Sequence, residues 1–171
     1  MDERSKKILD RLERLCAGCE YCTSDIRRKI TAALRKSFGE DAEGLSERAD
    51  EILASLLADK YVDDARYASA FVREKSSLSG WGPVKIRFAL ASKHIPDAVI
   101  TEALKDIDCG KAEEKLLRSL EVRWRSLTGP DGQIPQDAKL KLIKFALSRG
   151  YEYDAVKSAV ELVTGSSRER R

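Results

Sequence analysis

Two stretches of this chain, 57 residues apart, have nearly the same sequence. Residues 86–90 read Ile-Arg-Phe-Ala-Leu and residues 143–147 read Ile-Lys-Phe-Ala-Leu, while the Asp-Ala-Val of residues 97–99 recurs at 154–156. A looser copy occupies residues 26–30. A repeat of this period indicates that one small helical unit has been used several times, each copy leaning on its neighbour. The sequence therefore favours an array with a long binding surface over a single globule with a catalytic pocket.

Composition and the N-terminal residues narrow the class of protein further. With 171 residues, 42% of them hydrophobic and 36% charged, the chain can bury a core and is too apolar to be disordered. It has no run of 18 or more apolar residues, so we expect no membrane span. Residues 1–7 are polar and charged and lack the apolar segment of a secretory signal, so we expect a cytoplasmic protein.

Helical periodicity dominates the sequence and predicts an all-α fold of about nine helices. Asp63 is a good N-cap and Pro83 a good first helical residue, Ser46 is a candidate cap, and Gly39 is a stop signal. The predicted helices cover about residues 5–16, 24–37, 46–58, 111–127, 136–149 and 154–164, and the fourth, fifth and sixth helices begin near residues 63, 83 and 96.

The repeat divides the predicted helices into groups of three. Units this small bury too little surface to stand alone, so each should pack on the next. The predicted division is a lead-in helix at 1–22, repeat one at 23–78, repeat two at 79–128, a truncated repeat three at 129–165 and a disordered tail at 166–171.

The distribution of charge is more informative than the net charge of +3. Residues 139–149 contain four basic residues and no acid, and residues 73–93 contain five basic residues against Glu74 alone. Two interpretations remain open: a solvated lysine face, or a surface that meets phosphates or acidic groups. Arg27, Arg87 and Lys144 each follow an isoleucine that we expect in the core, so equivalent placement would align them along one side of the array.

Three closely spaced cysteines, Cys16, Cys19 and Cys22, form two overlapping Cys-x-x-Cys pairs. A tetrahedral zinc site or an iron–sulfur cluster needs a fourth ligand, for which Cys109 and His94 are the candidates. The alternatives are packing as small hydrophobic residues and a redox disulfide, which a cytoplasmic location disfavours. Packing is the interpretation we adopt, so we predict no metal and no cofactor.

The remaining polar motifs do not predict catalysis. His94 is the only histidine, so no triad can be built, and the adjacent Asp63 and Asp64 are explained by capping. No glycine-rich phosphate loop is present. Trp81 lies in a predicted loop beside basic residues and is a candidate contact, whereas four other aromatic residues have core spacing: Tyr67, Phe71, Phe88 and Phe145.

Residues 61–73, Tyr-Val-Asp-Asp-Ala-Arg-Tyr-Ala-Ser-Ala-Phe-Val-Arg, resemble the signature of the RecX family, bacterial regulators of the RecA recombinase. Residues 25–30 and 85–90 resemble helices of its first and second repeats, and residues 145–151 resemble its third, with the Arg-Gly-aromatic ending. The resemblance runs from about residue 6 to residue 164. The long connection from Lys36 to Leu45 and the cysteine run depart from the family pattern.

This resemblance implies three tandem three-helix repeats in an elongated, curved, right-to-left array, and a monomer that is not an enzyme. It further implies binding to the RecA filament and restraint of its recombinase, ATPase and co-protease activities. Single- or double-stranded DNA is a further candidate partner. The alternative functions are a stand-alone helical nucleic-acid-binding protein and, less favoured, a metal or redox sensor. The candidate residues for binding the partner or DNA are Arg27, Arg28, Lys29, Arg66, Arg73, Lys75, Trp81, Lys85, Arg87, Lys141, Lys144 and Arg149.

Overall fold

The structure, a computed structural model, describes residues 1–40, 42–128 and 134–165. Within these residues the chain forms nine α-helices and no β-strand, which confirms the predicted all-α fold. The helices are α1 (Glu3–Gly18), α2 (Thr23–Phe38), α3 (Leu45–Ala58), α4 (Asp64–Ser77), α5 (Pro83–Ala91), α6 (Asp97–Leu104), α7 (Cys109–Leu127), α8 (Ala138–Ser148) and α9 (Tyr153–Gly165).

Local capping explains where most of these helices begin and end. Asp63 caps α4 as predicted, because its Oδ1 accepts hydrogen bonds from the backbone N–H groups of Ala65 and Arg66, each at 2.9 Å. Pro83 is the first residue of α5, and Gly39 ends α2 with a φ of 101°. The prediction for Ser46 is wrong: α3 begins one residue earlier, after Gly44, whose left-handed backbone turns the chain into the helix.

The described residues form two compact units. The first unit comprises Met1–Ala70 and Leu90–Ala103, and the second comprises Phe71–Ala89 and the chain from Leu104 onward. In the first unit, α1, α2 and α3 enclose a hydrophobic core. Its buried side chains are Leu12, Cys16, Ile26, Ile30, Leu34, Ala49, Ile52, Leu53, Leu56 and Val62.

In the second unit, α7, α8 and α9 enclose a core of their own. The amphipathic spacing of α7 places a leucine, a leucine and a tryptophan on its buried face, four residues apart. The buried side chains of this core are Leu116, Leu120, Trp124, Ala138, Leu142, Ala146, Tyr151, Val156, Ala159, Val160 and Val163.

The pattern of buried residues repeats after 56 residues, one fewer than the 57-residue offset between the matching sequences. Ile86 and Leu90 are fully buried, and so are Leu142 and Ala146, an offset of 56 residues. The matching isoleucine at 57 residues, Ile143, is only partly buried. The expected equivalence of Arg87 and Lys144 is therefore wrong, since Lys144 lies two positions beyond the buried residue of its helix.

The predicted repeat boundaries stay a prediction. The predicted tail at 166–171 and the start of the predicted third repeat, 129–133, lie outside the described residues. None of the helices in the described ranges is both long and apolar enough to cross a membrane.

Candidate partner-binding site

A basic and aromatic cluster surrounds the loop between α4 and α5 in the second unit. We call it the Trp81 cluster, and it consists of Phe71, Lys75, Trp81, Lys85 and Arg149. The rings of Phe71 and Trp81 pack edge to face, with their centroids 6.3 Å apart. The Nζ atoms of Lys75 and Lys85 lie 5.6 and 4.5 Å from the Trp81 centroid, so both ammonium groups are held by cation–π contacts. Three predicted site residues, Lys75, Trp81 and Lys85, are thereby brought together.

A close backbone contact between two glycines fixes this cluster. The N–H of Gly82 donates to the carbonyl of Arg149 at 2.8 Å, and the N–H of Val84 donates to the carbonyl of Gly150 at 3.0 Å. A side chain at Gly82 would overlap the backbone of Gly150, and a side chain at Gly150 would overlap Lys85. The start of α5 therefore satisfies its free N–H groups on the turn between α8 and α9. This contact is the physical reason for the glycine at position 150.

Several cations of the second unit bind free carbonyl groups near the ends of helices. Lys85 donates to the carbonyl of Ser148 at 3.3 Å, and Arg149 donates to that of Ser79 at 3.0 Å. Lys115, which was absent from the predicted set, donates to the carbonyls of Ser76 and Ser77. Cations are favourable at helix C-termini because the last carbonyls lack partners and carry the negative end of the helix dipole. Part of the positive charge in this region therefore stabilises the fold.

Arg66 is also used inside its own unit. Its Nε donates to Glu20 at 2.6 Å, and its Nη2 donates to the carbonyls of Lys60 and Tyr61 at 3.0 and 3.4 Å. The hydrogen bond to Glu20 raises the pKa of Arg66 further. Arg66 and its three acceptors lie around the start of α4. Arg66 therefore anchors the first turn of α4 to the loop before it and to the chain after α1.

The other predicted cations differ in their contacts within the protein and in their exposure. On α2, Arg27 pairs with Asp50, Arg28 pairs with Asp25 at 2.9 Å, and Lys29 lies over the Tyr21 ring. On α8, Lys141 pairs with Asp137 at 2.9 Å and Lys144 is exposed. Arg73 is exposed and Arg87 is partly buried. The exposed pairs contribute little to stability.

A partly buried ion pair joins α2 to the connection between α5 and α6 within the first unit. The Nζ of Lys93 lies 2.6 Å from Asp25 and 5.8 Å from the centroid of the Tyr67 ring. Partial burial opposes ionisation of Asp25, but hydrogen bonds from Lys93 and Cys22 and the charges of Lys93 and Arg28 lower its pKa below 3.8. The same hydrogen bond raises the pKa of Lys93 above 10.5. The pair therefore stays charged over the whole physiological range.

We expect replacement of Asp25 by asparagine to destabilise the first unit by about 1–3 kcal/mol at pH 7, because it leaves Lys93 partly buried without its counter-ion. Since the pKa of Asp25 is lowered on folding, its contribution is present above pH 3.8 and is lost as the pH falls through the folded-state pKa. Urea unfolding followed by far-UV circular dichroism at pH 7 and at pH 3 measures both effects. A difference between the two proteins that does not shrink at pH 3 would contradict this account.

Phe88 shows the clearest difference between the burial predicted from sequence spacing and the burial observed. Its side chain is 76% exposed, which contradicts the expected core position, and Val84 one turn earlier is 50% exposed. Ile86 and Leu90 fill the core instead, and a residue two positions from Ile86 lies about 200° around the helix. An exposed apolar face could have been predicted from the sequence, because both faces of α5 carry apolar residues. Phe88 and Val84 therefore form an exposed apolar pair one turn apart, beside Lys85 and Arg87.

The cysteines show no metal-like arrangement in the part of the chain that the structure describes, where no three His, Cys, Asp or Glu side chains come together as ligands. Cys16 is buried in the core of the first unit, as the packing interpretation predicts, and Cys22 is buried beside Ser24. Cys19 is exposed, so the packing interpretation is wrong for this residue, and Cys109 is exposed as well.

These features define an all-α protein with cationic and apolar side chains exposed outside its buried cores. The family model for RecX, second three-helix domain, matches residues 63–104, which span α4 to α6. That segment begins with α4, whereas the predicted second repeat begins at residue 79. The chain is 30% identical over 178 residues to regulatory protein RecX of Chlorobaculum tepidum, covering 99% of this chain and 97% of the relative.

Two further likenesses agree. Regulatory protein RecX of Shigella boydii is 27% identical over 149 residues, covering 85% of this chain and 84% of the relative. The crystal structure of RecX from Lactobacillus salivarius superposes with a TM-score of 0.73 at 18% identity, covering 96% of this chain and 99% of that one. The chain belongs to the RecX family of regulatory proteins, as its sequence predicts.

Proposed function

We propose that this protein binds the nucleoprotein filament of the RecA recombinase and inhibits its recombinase, ATPase and co-protease activities, as a non-catalytic regulator of DNA repair and the SOS response. Membership of the RecX family supports the regulatory role. The observation that carries the binding proposal is the exposed face of α5, with Phe88 and Val84 on it and Lys85 and Arg87 beside it.

The chemistry of this face favours a protein partner. A phenylalanine that is 76% exposed keeps much of its apolar surface in water, and burial against a partner recovers roughly 25 cal/mol per Å² of that surface. Aromatic side chains near the centre of an interface are frequent hot spots, and cations at the rim set orientation. The matched family segment, residues 63–104, contains this face.

The second candidate function, a stand-alone nucleic-acid-binding protein, is supported by the cations of the Trp81 cluster. Base stacking on Trp81 would have to displace Lys85, whose Nζ lies 4.5 Å from the ring centroid. Lys85 and Arg149 are also committed to carbonyl groups of their own unit. These contacts favour the filament as the partner over bare nucleic acid.

We expect the protein to slow the ATPase activity of RecA on single-stranded DNA at substoichiometric amounts, because an inhibitor bound to a continuous filament acts on the subunits around it. ATP hydrolysis with and without the protein measures this. Fluorescence anisotropy with labelled DNA alone, at several salt concentrations, tests the alternative: tight, steeply salt-dependent binding without RecA indicates direct phosphate contacts. Unchanged ATP hydrolysis at equimolar protein would refute the proposal.

A further inference from the structure

An open groove of roughly 1000 Å³ lies between α1 and α2 in the first unit. Its floor is apolar, and its rim carries six basic side chains. The floor is formed by Ile8, Leu12, Leu15, Ala32 and Ala33, the rim by Arg4, Lys7, Arg11, Arg14, Lys29 and Lys36, and Ser37 completes the lining. None of these twelve residues is acidic. We call this the α1–α2 groove.

The cations of the groove differ from the other cations of α2. Arg27, Arg28 and Arg35 of α2 each pair with a carboxylate, namely Asp50, Asp25 and Glu40. In contrast, none of the six rim cations forms an ion pair with any residue in the described ranges. Three of the six nevertheless have contacts within the first unit. Arg4 lies over the Phe38 ring and donates to the carbonyl of Ser37 at 3.2 Å, and Lys29 lies over the Tyr21 ring. Arg14 donates to the carbonyl of Asp10 at 3.1 Å. The groove therefore gathers six cations, none of which is paired with a carboxylate of the first unit.

The apolar floor is accessible and has the length of a short helix. Leu15 is 37% exposed and Ile8 is partly exposed, although both lie on the face of α1 that turns toward α2. From Arg4 to Leu15 the helix rises about 17 Å, which matches three turns of a bound helix. A helix lying in such a groove uses apolar residues at i, i+3, i+4 and i+7 as anchors.

The charge and the shape of the groove indicate which kind of ligand it can bind. A second copy of this chain that placed its own groove against this one would bring six further cations against the first six, so a symmetric dimer through the groove is disfavoured. The floor has no aromatic side chain on which a nucleotide base could stack, which disfavours single-stranded nucleic acid. A membrane surface needs an apolar face that projects outward, whereas this one is recessed between two helices.

We propose that the α1–α2 groove binds an acidic amphipathic helix of a partner protein, with the apolar face of that helix on the leucine and alanine floor and its carboxylates on the six cations. The proposal does not depend on RecA, and it concerns residues that, apart from Lys29, were not predicted to bind a partner.

The test uses the full-length protein and a fluorescein-labelled peptide of about 15 residues, with leucines at helical anchor positions and glutamates on both flanks. We expect saturable binding by fluorescence anisotropy, and weakening by about tenfold or more in the double variant Arg11→Glu with Lys36→Glu. The matched control, Lys6→Glu with Arg35→Glu, changes the same amount of charge on the same two helices outside the groove and should bind as the unmodified protein does.

A second pair of variants tests the apolar floor. Leu15→Ser should weaken peptide binding several-fold, whereas Leu57→Ser, at a leucine of similar exposure on α3, should not. Far-UV circular dichroism confirms that each variant is folded. Absence of saturable binding, or equal binding by the groove variants and their controls, would overturn the proposal. It would also be overturned if oligothymidylate or phosphatidylglycerol vesicles bound through Arg11 and Lys36 while the peptide did not.

Discussion

Replacement of Gly150 by alanine is expected to destabilise the second unit by about 3–5 kcal/mol, because two costs act at one position. Gly150 has a φ of +85°, a conformation that residues with a Cβ rarely adopt. The new methyl group would also overlap Lys85 and force α5 away from the turn between α8 and α9. That movement breaks the hydrogen bonds from Gly82 and Val84, each of which contributes about 1 kcal/mol.

Tryptophan fluorescence gives this experiment a selective signal, since Trp81 and Trp124 are the only tryptophans and both lie in the second unit. Urea unfolding followed at the tryptophans should shift strongly in Gly150→Ala. The control is Gly165→Ala, where a Cβ meets nothing within 4 Å, and which should change the unfolding free energy by less than about 0.5 kcal/mol. Equal midpoints for the two variants would show that the glycine contact is dispensable.

Replacement of Phe88 by alanine is expected to raise the protein concentration needed to half-inhibit the RecA ATPase by about 10- to 30-fold. Loss of an aromatic hot spot costs roughly 2 kcal/mol of binding free energy, and each 1.4 kcal/mol is about a factor of ten. Because Phe88 is 76% exposed, the free energy of unfolding should hardly change. A large effect on inhibition with unaltered stability distinguishes a binding residue from a structural one.

The matched control is Val122→Ala on α7, since Val122 is also a largely exposed apolar residue of the second unit. Titrations of both variants against RecA on single-stranded DNA, beside urea unfolding, complete the comparison. If Phe88→Ala inhibits as strongly as the unmodified protein, α5 does not supply the apolar contact and the proposed binding face lies elsewhere.

Much of the fold was predictable because helix boundaries are marked locally. Asp63, Gly39 and Pro83 act through backbone groups within one turn of their own position, so the sequence shows their effect directly. The start of α3 escaped prediction because Ser46 has the right chemistry for a cap, yet the chain enters the helix through the left-handed Gly44. Only the path of the backbone decides whether Ser46 or Gly44 is the residue that precedes the helix.

The repeat shows a limit of sequence matching. The best alignment of residues places Ile143 opposite Ile86, but Leu142 occupies the buried position. Both residues are apolar, and the choice between them depends on how α8 meets α7 and α9. A one-residue difference rotates the helix by about 100°, which is enough to move Lys144 away from the expected line of cations.

The candidate site was only partly predictable for a related reason. Clusters of lysine and arginine are visible in the sequence, but the carboxylate, ring or carbonyl that each one contacts is often far along the chain. Lys93 meets Asp25 and Arg149 meets Ser79, contacts separated by 68 and 70 residues. Which cations remain available to a partner therefore follows from tertiary structure, as the α1–α2 groove illustrates with six cations that have no carboxylate partner.

The uneven exposure of the cysteines has a practical consequence for observing this protein at work. Burial raises the pKa of the Cys16 thiol and keeps it from reagents, and Cys22 is buried as well, whereas Cys19 and Cys109 are open to solvent. Cys19 lies in the first unit and Cys109 in the second. Maleimide dyes would therefore attach once in each unit without any engineered residue. Energy transfer between a donor and an acceptor at these two thiols would then show whether the distance between them changes when the protein binds a filament or a peptide.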